Sequence, residues 1–448
     1  MNLKDFKNKR ICFLGLGLEN LSLAEYLAKK GIKATVFDRR SAAELGERFE
    51  KIEKLGVDFR GGNNHLQGIA DFDVIFRTPG FMDAGKTKFK KSAVFTSPMA
   101  LFFDLCPAKI IAVTGTKGKG TTSSLIFHIL KKAGKNVWLA GNIGVAPFDF
   151  IGKIKADHFV ILELSSFQLL DFRGSPHIAV VTNLFPDHLS PADPLNPIYH
   201  KSLKEYYGAK ANIFLNQKKD GWLVVNKNSR HPDNLLKKSG ARRVYFEIDD
   251  NLHKSRHLIG VHNQENIAVS CAVAKILGIP AKTIYKAVES FSGLEHHLEF
   301  VAEINGIRFY NDSASTMPAA TLAAARAFSR SVILITGGVN KGYDLKEFAK
   351  DLLKSPYSLS IMLIGRTSKE LFGHFKKMGP ELKKHKSAVY YRGGKNIKEI
   401  IKDAMAIASK EGGVVLFSPG FASFDMFQNS KDRGKKFKEA VWELKSTS

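Results

Sequence analysis

KIIAVTGTKGKGTTSSLIFHILKKAG, residues 109–134, runs from a β-rich apolar segment through a glycine-rich turn into a helical pattern. Apolar residues recur at Leu125, Ile129, Leu130 and Ala133, and Gly134 closes the pattern. Glycines in such a turn let backbone N–H groups wrap a polyphosphate, and the helix N-terminus adds positive potential. Lys119 is placed to balance the terminal phosphates, and Thr121 or Thr122 offers a hydroxyl to Mg²⁺. The common phosphate-loop pattern has Ser or Thr directly after Gly-Lys, whereas here Gly120 intervenes. A plain helix-capping turn would not call for two lysines interleaved with glycines and threonines. The loop Gly115, Thr116, Lys117, Gly118, Lys119, Gly120 and Thr121 is therefore expected to bind ATP.

The same alternation extends in both directions. Apolar runs at 10–14, 332–336, 360–364 and 414–417 each precede an amphipathic segment, which predicts parallel sheets covered on both faces and an α/β fold. Three series are separable, at 1–106, 107–292 and 293–448, as expected for a chain of 448 residues. SPADPLNP, residues 190–197, reads as a surface loop inside the second series rather than a linker between domains.

Composition narrows the classes. At 44% hydrophobic and 25% charged residues the chain has too much apolar surface to stay disordered. Its three cysteines, Cys12, Cys106 and Cys271, lie far apart in apolar contexts and suit reduced thiols. No run reaches the roughly 18 apolar residues of a membrane span, and the apolar run at 11–18 has no cleavage site behind it, so a cytoplasmic location is expected. The net charge of +25 invites a nucleic-acid partner, but the lysines are dispersed and no nucleic-acid-binding signature accompanies them. A solvated basic surface is the expectation, with no nucleic-acid partner.

Two further places carry chemistry. FVILE, residues 159–163, is a buried strand ending in Glu163, where α/β sheets place ligands, although Ser165 and Ser166 make a helix-cap reading equally natural. A second strand, 178–182, leads to Asn183 and then Asp187-His188. Glu163 and His188, read as neighbouring strand ends beside the phosphate loop, resemble Mg²⁺ ligands; a loop histidine bound to backbone is the alternative for His188. Near the N-terminus, Gly15-Leu-Gly17-Leu18 and then Asp38-Arg39-Arg40 imitate a dinucleotide fingerprint with its acidic residue about 20 positions on, but Asn20 stands at the third glycine.

The motifs GTKGKGTT (115–122), GNIG (141–144), LELSSFQL (162–169), TNLFPDHL (182–189) and GVHNQEN (260–266) occur in the order found in the Mur ligase family. GLEHHLE (293–299), YNDSAST (310–316), TGGVNKGYD (336–344) and SPGFASFDMFQNSKDRG (418–434) extend the resemblance over essentially the whole chain, and resemble most the members that add glutamate. The resemblance implies three domains: a Rossmann-like UDP-substrate domain, a P-loop ATPase-like central domain and a Rossmann-like amino-acid-binding domain. It implies ATP- and Mg²⁺-dependent addition of D-glutamate to UDP-N-acetylmuramoyl-L-alanine through an acyl phosphate, by a monomer in peptidoglycan synthesis. A ligase for L-glutamate or a folylpolyglutamate-type acceptor, and a basic nucleotide-binding protein without ligase activity, are the rival readings.

Residue roles follow by resemblance. Lys119 would hold the β- and γ-phosphates, Thr121 and Glu163 one Mg²⁺, and His188 a second, with Lys210 carbamylated as a further metal ligand. Asn266 would contact adenine, and Asp312 the ribose or phosphate region. Gly17, Leu18, Asp38, Arg39, Thr78 and Asn142 would contact the UDP-substrate, and Thr316, Lys341 and Ser423 the incoming amino acid. Three substitutions depart from the pattern: His297 for an arginine facing the phosphates, Ala314 for a lysine, and Ser430 for a phenylalanine near the glutamate. The segment between His188 and Lys210 is also longer than usual.

Overall fold

The computed structural model describes residues 1–81, 89–189, 198–227, 236–248, 255, 257–393 and 396–447. The loop 190–197 singled out in the sequence lies outside them. The chain forms two compact units: 1–192, 196–249 and 265–287 in the first, 193–195, 250–264 and 288–448 in the second.

The first unit carries two sheets. Strands β1 (Ile11–Leu14), β2 (Thr35–Asp38), β3 (Asp58–Gly61), β4 (Val74–Arg77) and β5 (Val94–Thr96) form an all-parallel sheet in the order β3-β2-β1-β4-β5. β1, β2 and β4 are buried throughout, which is why they read as continuous apolar runs rather than alternating ones. The second sheet uses β6 (Lys109–Thr114), β7 (Val137–Gly141), β8 (Phe159–Glu163), β9 (Ile178–Val181), β10 (Trp222–Asn226) and β11 (Arg242–Phe246), all parallel, in the order β11-β10-β9-β6-β8-β7. Crossover helices such as Leu18–Lys29 and Lys119–Lys132 supply the connections that parallel strands require. One apolar cluster joins the two sheets through Phe13, Phe76, Phe102, Phe148, Leu162 and Phe172.

The second unit contains a six-stranded sheet of β12 (Glu299–Ile304), β13 (Ile307–Asn311), β14 (Val332–Gly337), β15 (Leu359–Ile364), β16 (Ala388–Gly393) and β17 (Val414–Phe417). Their order is β12-β13-β17-β14-β15-β16, parallel except for the antiparallel edge strand β12. Separate apolar clusters cover its two faces, one around Phe348, Leu371 and Phe421, the other around Ile400, Phe417 and Phe437. No described helix is long and apolar enough to cross a membrane.

Candidate functional site

β6 delivers the phosphate loop at the carboxyl edge of the second sheet, where ligands bind in open α/β sheets. Glu163 ends β8 on one side of β6, and Thr182-Asn183 follow β9 on the other. The two strand ends are thus not adjacent, as the sequence suggested. β6 separates them, so the loop itself lies between Glu163 and the His188 turn.

The loop is built by close approach. Gly115 has φ +150°, and a Cβ there would lie 1.9 Å from the Thr182 hydroxyl; Gly118 has φ +79°, and its Cβ would lie 2.1 Å from Asn266 Oδ1. Only glycine fits either position. Thr182 Oγ1 and Asn183 Nδ2 both donate to the Lys117 carbonyl, at 2.7 and 3.1 Å, while the Lys117 and Thr116 amides donate to Asn183, at 2.9 Å each. Thr116 Oγ1 bonds to Tyr206 OH at 2.9 Å. Thr182, Asn183 and Tyr206 therefore brace the loop, a role that the sequence reading did not assign to them.

Gly118 caps the helix Lys119–Lys132, so the free amides of its first turn face the loop mouth. The Thr122 hydroxyl is buried and donates to Asn266 Oδ1 at 3.3 Å, whereas the half-buried Thr121 hydroxyl has no protein partner among the described residues. Of the two threonines, Thr121 is the one free to meet a cation. Asn266, expected at adenine, packs its carboxamide directly behind Gly118.

Two lysines converge on one carbonyl. Lys119 Nζ donates to the Gly115 and Thr116 carbonyls, both at 3.1 Å, and Lys210 Nζ donates to Gly115 at 2.7 Å. Lys210 is 2% exposed; its burial first, and the charge of Lys119 second, hold its pKa well below the ordinary lysine value. Lys119 is lowered by burial too, with Glu163 acting in the opposite sense. Glu163 is buried and accepts a bond from Asn142 Nδ2 at 2.9 Å, so Asn142 and Glu163 are brought together. His188 sits at φ +54°, its ring edge-on to Phe167 with centroids 5.4 Å apart and 4.0 Å from Asp187 Oδ2. Burial and then the three nearby lysines outweigh Asp187 and lower its pKa, which favours the neutral imidazole. Among the described residues no group of three or more His, Cys, Asp or Glu is arranged to hold a metal.

At the first sheet, a Cβ on Gly15 or Gly17 would meet the Thr78 side chain within 3.1 Å, so Thr78 lies across the glycine turn. Leu18 opens the following helix and is 51% exposed. Asp38 is buried. Burial alone would raise its pKa, but bonds from the Arg40 side chain and the Leu16 and Arg40 amides lower it below the usual range. Arg40, not Arg39, engages it; Arg39 is exposed. Asn20, at the third-glycine place, donates to the Leu14, Gly15 and Phe76 carbonyls and ties the turn together.

In the second unit, Thr316, Lys341 and Ser423 follow β13, β14 and β17, three adjacent strands. An isolated antiparallel bridge between Val339 and Ala422 draws Lys341 towards Ser423, and Gly420 donates to the Ser315 carbonyl at 2.9 Å. None of the three side chains has a hydrogen-bond partner among the described residues, as suits groups that await a ligand. Asp312 instead faces inward: Leu298 N, Ser315 Oγ and Ser418 Oγ donate to it at 3.0, 2.6 and 2.7 Å, and burial raises it to about 6. Arg433, 1% exposed, donates to Ser313 and to the Phe421 carbonyl and fixes the tail behind this edge. The Ser430 carbonyl accepts from Ser313 Oγ at 2.7 Å. His297 is exposed.

Residues 113–256 match the Mur ligase middle domain. The chain is 36% identical to the UDP-N-acetylmuramoylalanine--D-glutamate ligase of Clostridium kluyveri, covering 98% of this chain and 99% of the relative. It is 37% identical to the ligase of the same name from Clostridium botulinum strain Langeland, covering 98% of each. Among solved structures, the fold matches UDP-N-acetylmuramate-alanine ligase of Thermotoga maritima with a TM-score of 0.55 at 19% identity, over 98% of this chain and 100% of that one. This similarity, 36% identity over nearly the full length of both chains, makes the chain a member of the Mur ligase family.

Proposed function

We propose that the chain joins D-glutamate to UDP-N-acetylmuramoyl-L-alanine at the expense of ATP, an amide ligation of peptidoglycan synthesis. The observation that carries this reading is the 36% identity, over 98% of the chain, to a ligase named for that reaction. A carboxylate of the UDP-substrate attacks the γ-phosphorus of ATP, forming an acyl phosphate and releasing ADP. The glutamate amine then attacks the acyl carbon, loses a proton and expels phosphate. No protein nucleophile is needed, so the residues position groups and balance charge.

Lys119 and the first-turn amides receive the phosphates. Thr121 and Glu163 offer oxygens that fit one hard divalent cation, and His188 offers a neutral imidazole to a second. Bound Mg²⁺ would neutralise phosphate charge. As an ammonium, Lys210 cannot join these ligands; its depressed pKa supplies the neutral amine that reacts with CO₂, and the resulting carbamate can. Gly17, Leu18, Asp38, Arg39, Thr78 and Asn142 are assigned to the UDP-substrate, with Asp38 acting through the turn it holds. Asn266, His297 and Asp312 are assigned to the nucleotide, and Thr316, Lys341 and Ser423 to glutamate. On this reading the segments 1–106, 107–292 and 293–448 serve the three substrates in turn, and the enzyme works as a cytoplasmic monomer.

Phosphate release with ATP and UDP-N-acetylmuramoyl-L-alanine tests the proposal, with D-glutamate, L-glutamate and other amino acids supplied separately. Release with D-glutamate alone is expected. Equal release with L-glutamate would replace it by a related ligase, and nucleotide binding without release would leave a nucleotide-binding protein.

A further inference from the structure

Glu163 ends β8 and His188 lies in the turn that follows β9, two strands that do not pair because β6 lies between them. Something other than sheet hydrogen bonds must therefore fix the spacing of their turns. One residue touches both. His200 is fully buried, and its Nε2 bonds to Ser166 Oγ at 2.9 Å, three residues after Glu163. Its own backbone amide donates to the His188 carbonyl at 2.8 Å, and Leu189 and His200 form an isolated parallel bridge. The ring lies flat on Phe167, with centroids 4.7 Å apart and planes 6° from parallel, and Phe167 in turn meets the His188 ring edge-on. Tyr206, whose hydroxyl meets Thr116 in the phosphate loop, packs against the same imidazole with centroids 5.3 Å apart.

We infer that His200 is the positioning residue that holds the His188 ring, through Phe167, at a set distance from the Glu163 turn. His188 adopts a left-handed backbone at φ +54°, which a non-glycine residue keeps only when its surroundings enforce it. The amide of His200 and the stacked Phe167 are that enforcement. The inference rests on the reading of Glu163 and His188 as metal-holding residues.

Mn²⁺ binding, followed by the electron paramagnetic resonance signal of the free ion in the presence of a non-hydrolysable ATP analogue, tests it in the full-length chain. His188→Ala should weaken Mn²⁺ at least tenfold. His200→Ala should weaken it about as much while leaving affinity for the analogue within twofold. His200→Phe keeps the flat stack, and because Nδ1 has no partner among the described residues it loses only the Ser166 bond. It should recover most of the lost Mn²⁺ affinity. Loss in His188→Ala with none in His200→Ala would overturn the role of His200 alone. No loss in His188→Ala would overturn the metal reading, and this inference with it. Equal loss of Mn²⁺ and analogue in His200→Ala, unrecovered in His200→Phe, would show a merely structural residue and overturn it as well.

Discussion

Lys210 illustrates how a residue indistinguishable in sequence becomes singular in the fold. The chain has 68 Lys and Arg residues, and nothing local sets this one apart. Burial beside Lys119 and a carbonyl does, because a desolvated ammonium with a like charge nearby gives up its proton readily. Lys210→Ala should nearly abolish phosphate release, and short-chain carboxylates should partly restore it by occupying the place of the carbamate. Near-normal release in the variant would remove Lys210 from the mechanism. Asp312 gives a stability prediction. Its folded pKa of about 6 exceeds the ordinary aspartate value of 3.8, so between these values the native state holds the proton more tightly than the unfolded chain. Stability from this group is present at low pH and declines as pH rises towards 6 and beyond, by about 3 kcal/mol in full. Asp312→Asn removes the titration, so its deficit in Tm relative to the parent should shrink from pH 4.5 to pH 7. A constant deficit would mean that Asp312 ionises normally.

The helix Lys119–Lys132 is bracketed by two glycines with positive φ, and the two should respond differently. A Cβ at Gly118 meets Asn266 at 2.1 Å, whereas one at Gly134 meets nothing within 4 Å. Gly134→Ala is expected to lose only about 1–2 kcal/mol of stability through backbone strain, with unchanged affinity for an ATP analogue. Gly118→Ala should lower that affinity at least tenfold as well as the Tm, since Asn266 or the loop must move. Isothermal titration with thermal melts checks both, and matching behaviour of the two variants would deny the loop its special packing. At this scale much was legible in the sequence. The boundaries of β17 agree with those read from its apolar run, and Gly134 ends the helix as predicted. Such features depend on residues a few positions apart. The brace from Thr182 and Asn183, the bond from Ser418 to Asp312 and the grip of Arg433 on Ser313 span roughly 65 to 120 residues, and no local pattern encodes them. Thr121 over Thr122 likewise waited on Asn266, 144 positions after Thr122.

For the whole molecule, the net charge of +25 is a surface property without a matching nucleic-acid motif. Duplex DNA measured by fluorescence anisotropy should bind only weakly and without sequence preference at low salt, and the signal should vanish by about 200 mM salt, as for counterion-driven contacts. Nanomolar binding that survives such salt would overturn the assignment of the lysines to a solvated face. The family resemblance was legible over the whole chain because its motifs cluster at strand ends, where backbone geometry and ligand chemistry both restrict residue choice. The sheet order was not, since pairing between distant strands leaves no trace in either partner's own run.

That order has a consequence for how the protein comes into being. β6 is made early, yet its neighbours β8 and β9 end at residues 163 and 181, and the wall behind Gly118 arrives only with Asn266. A nascent chain that has already emitted the complete glycine motif still lacks both flanks of it. The nucleotide cannot act as an early folding template during synthesis, because the groove that would recognise it closes about 150 residues later. Ligand binding therefore rewards this fold only after it has formed.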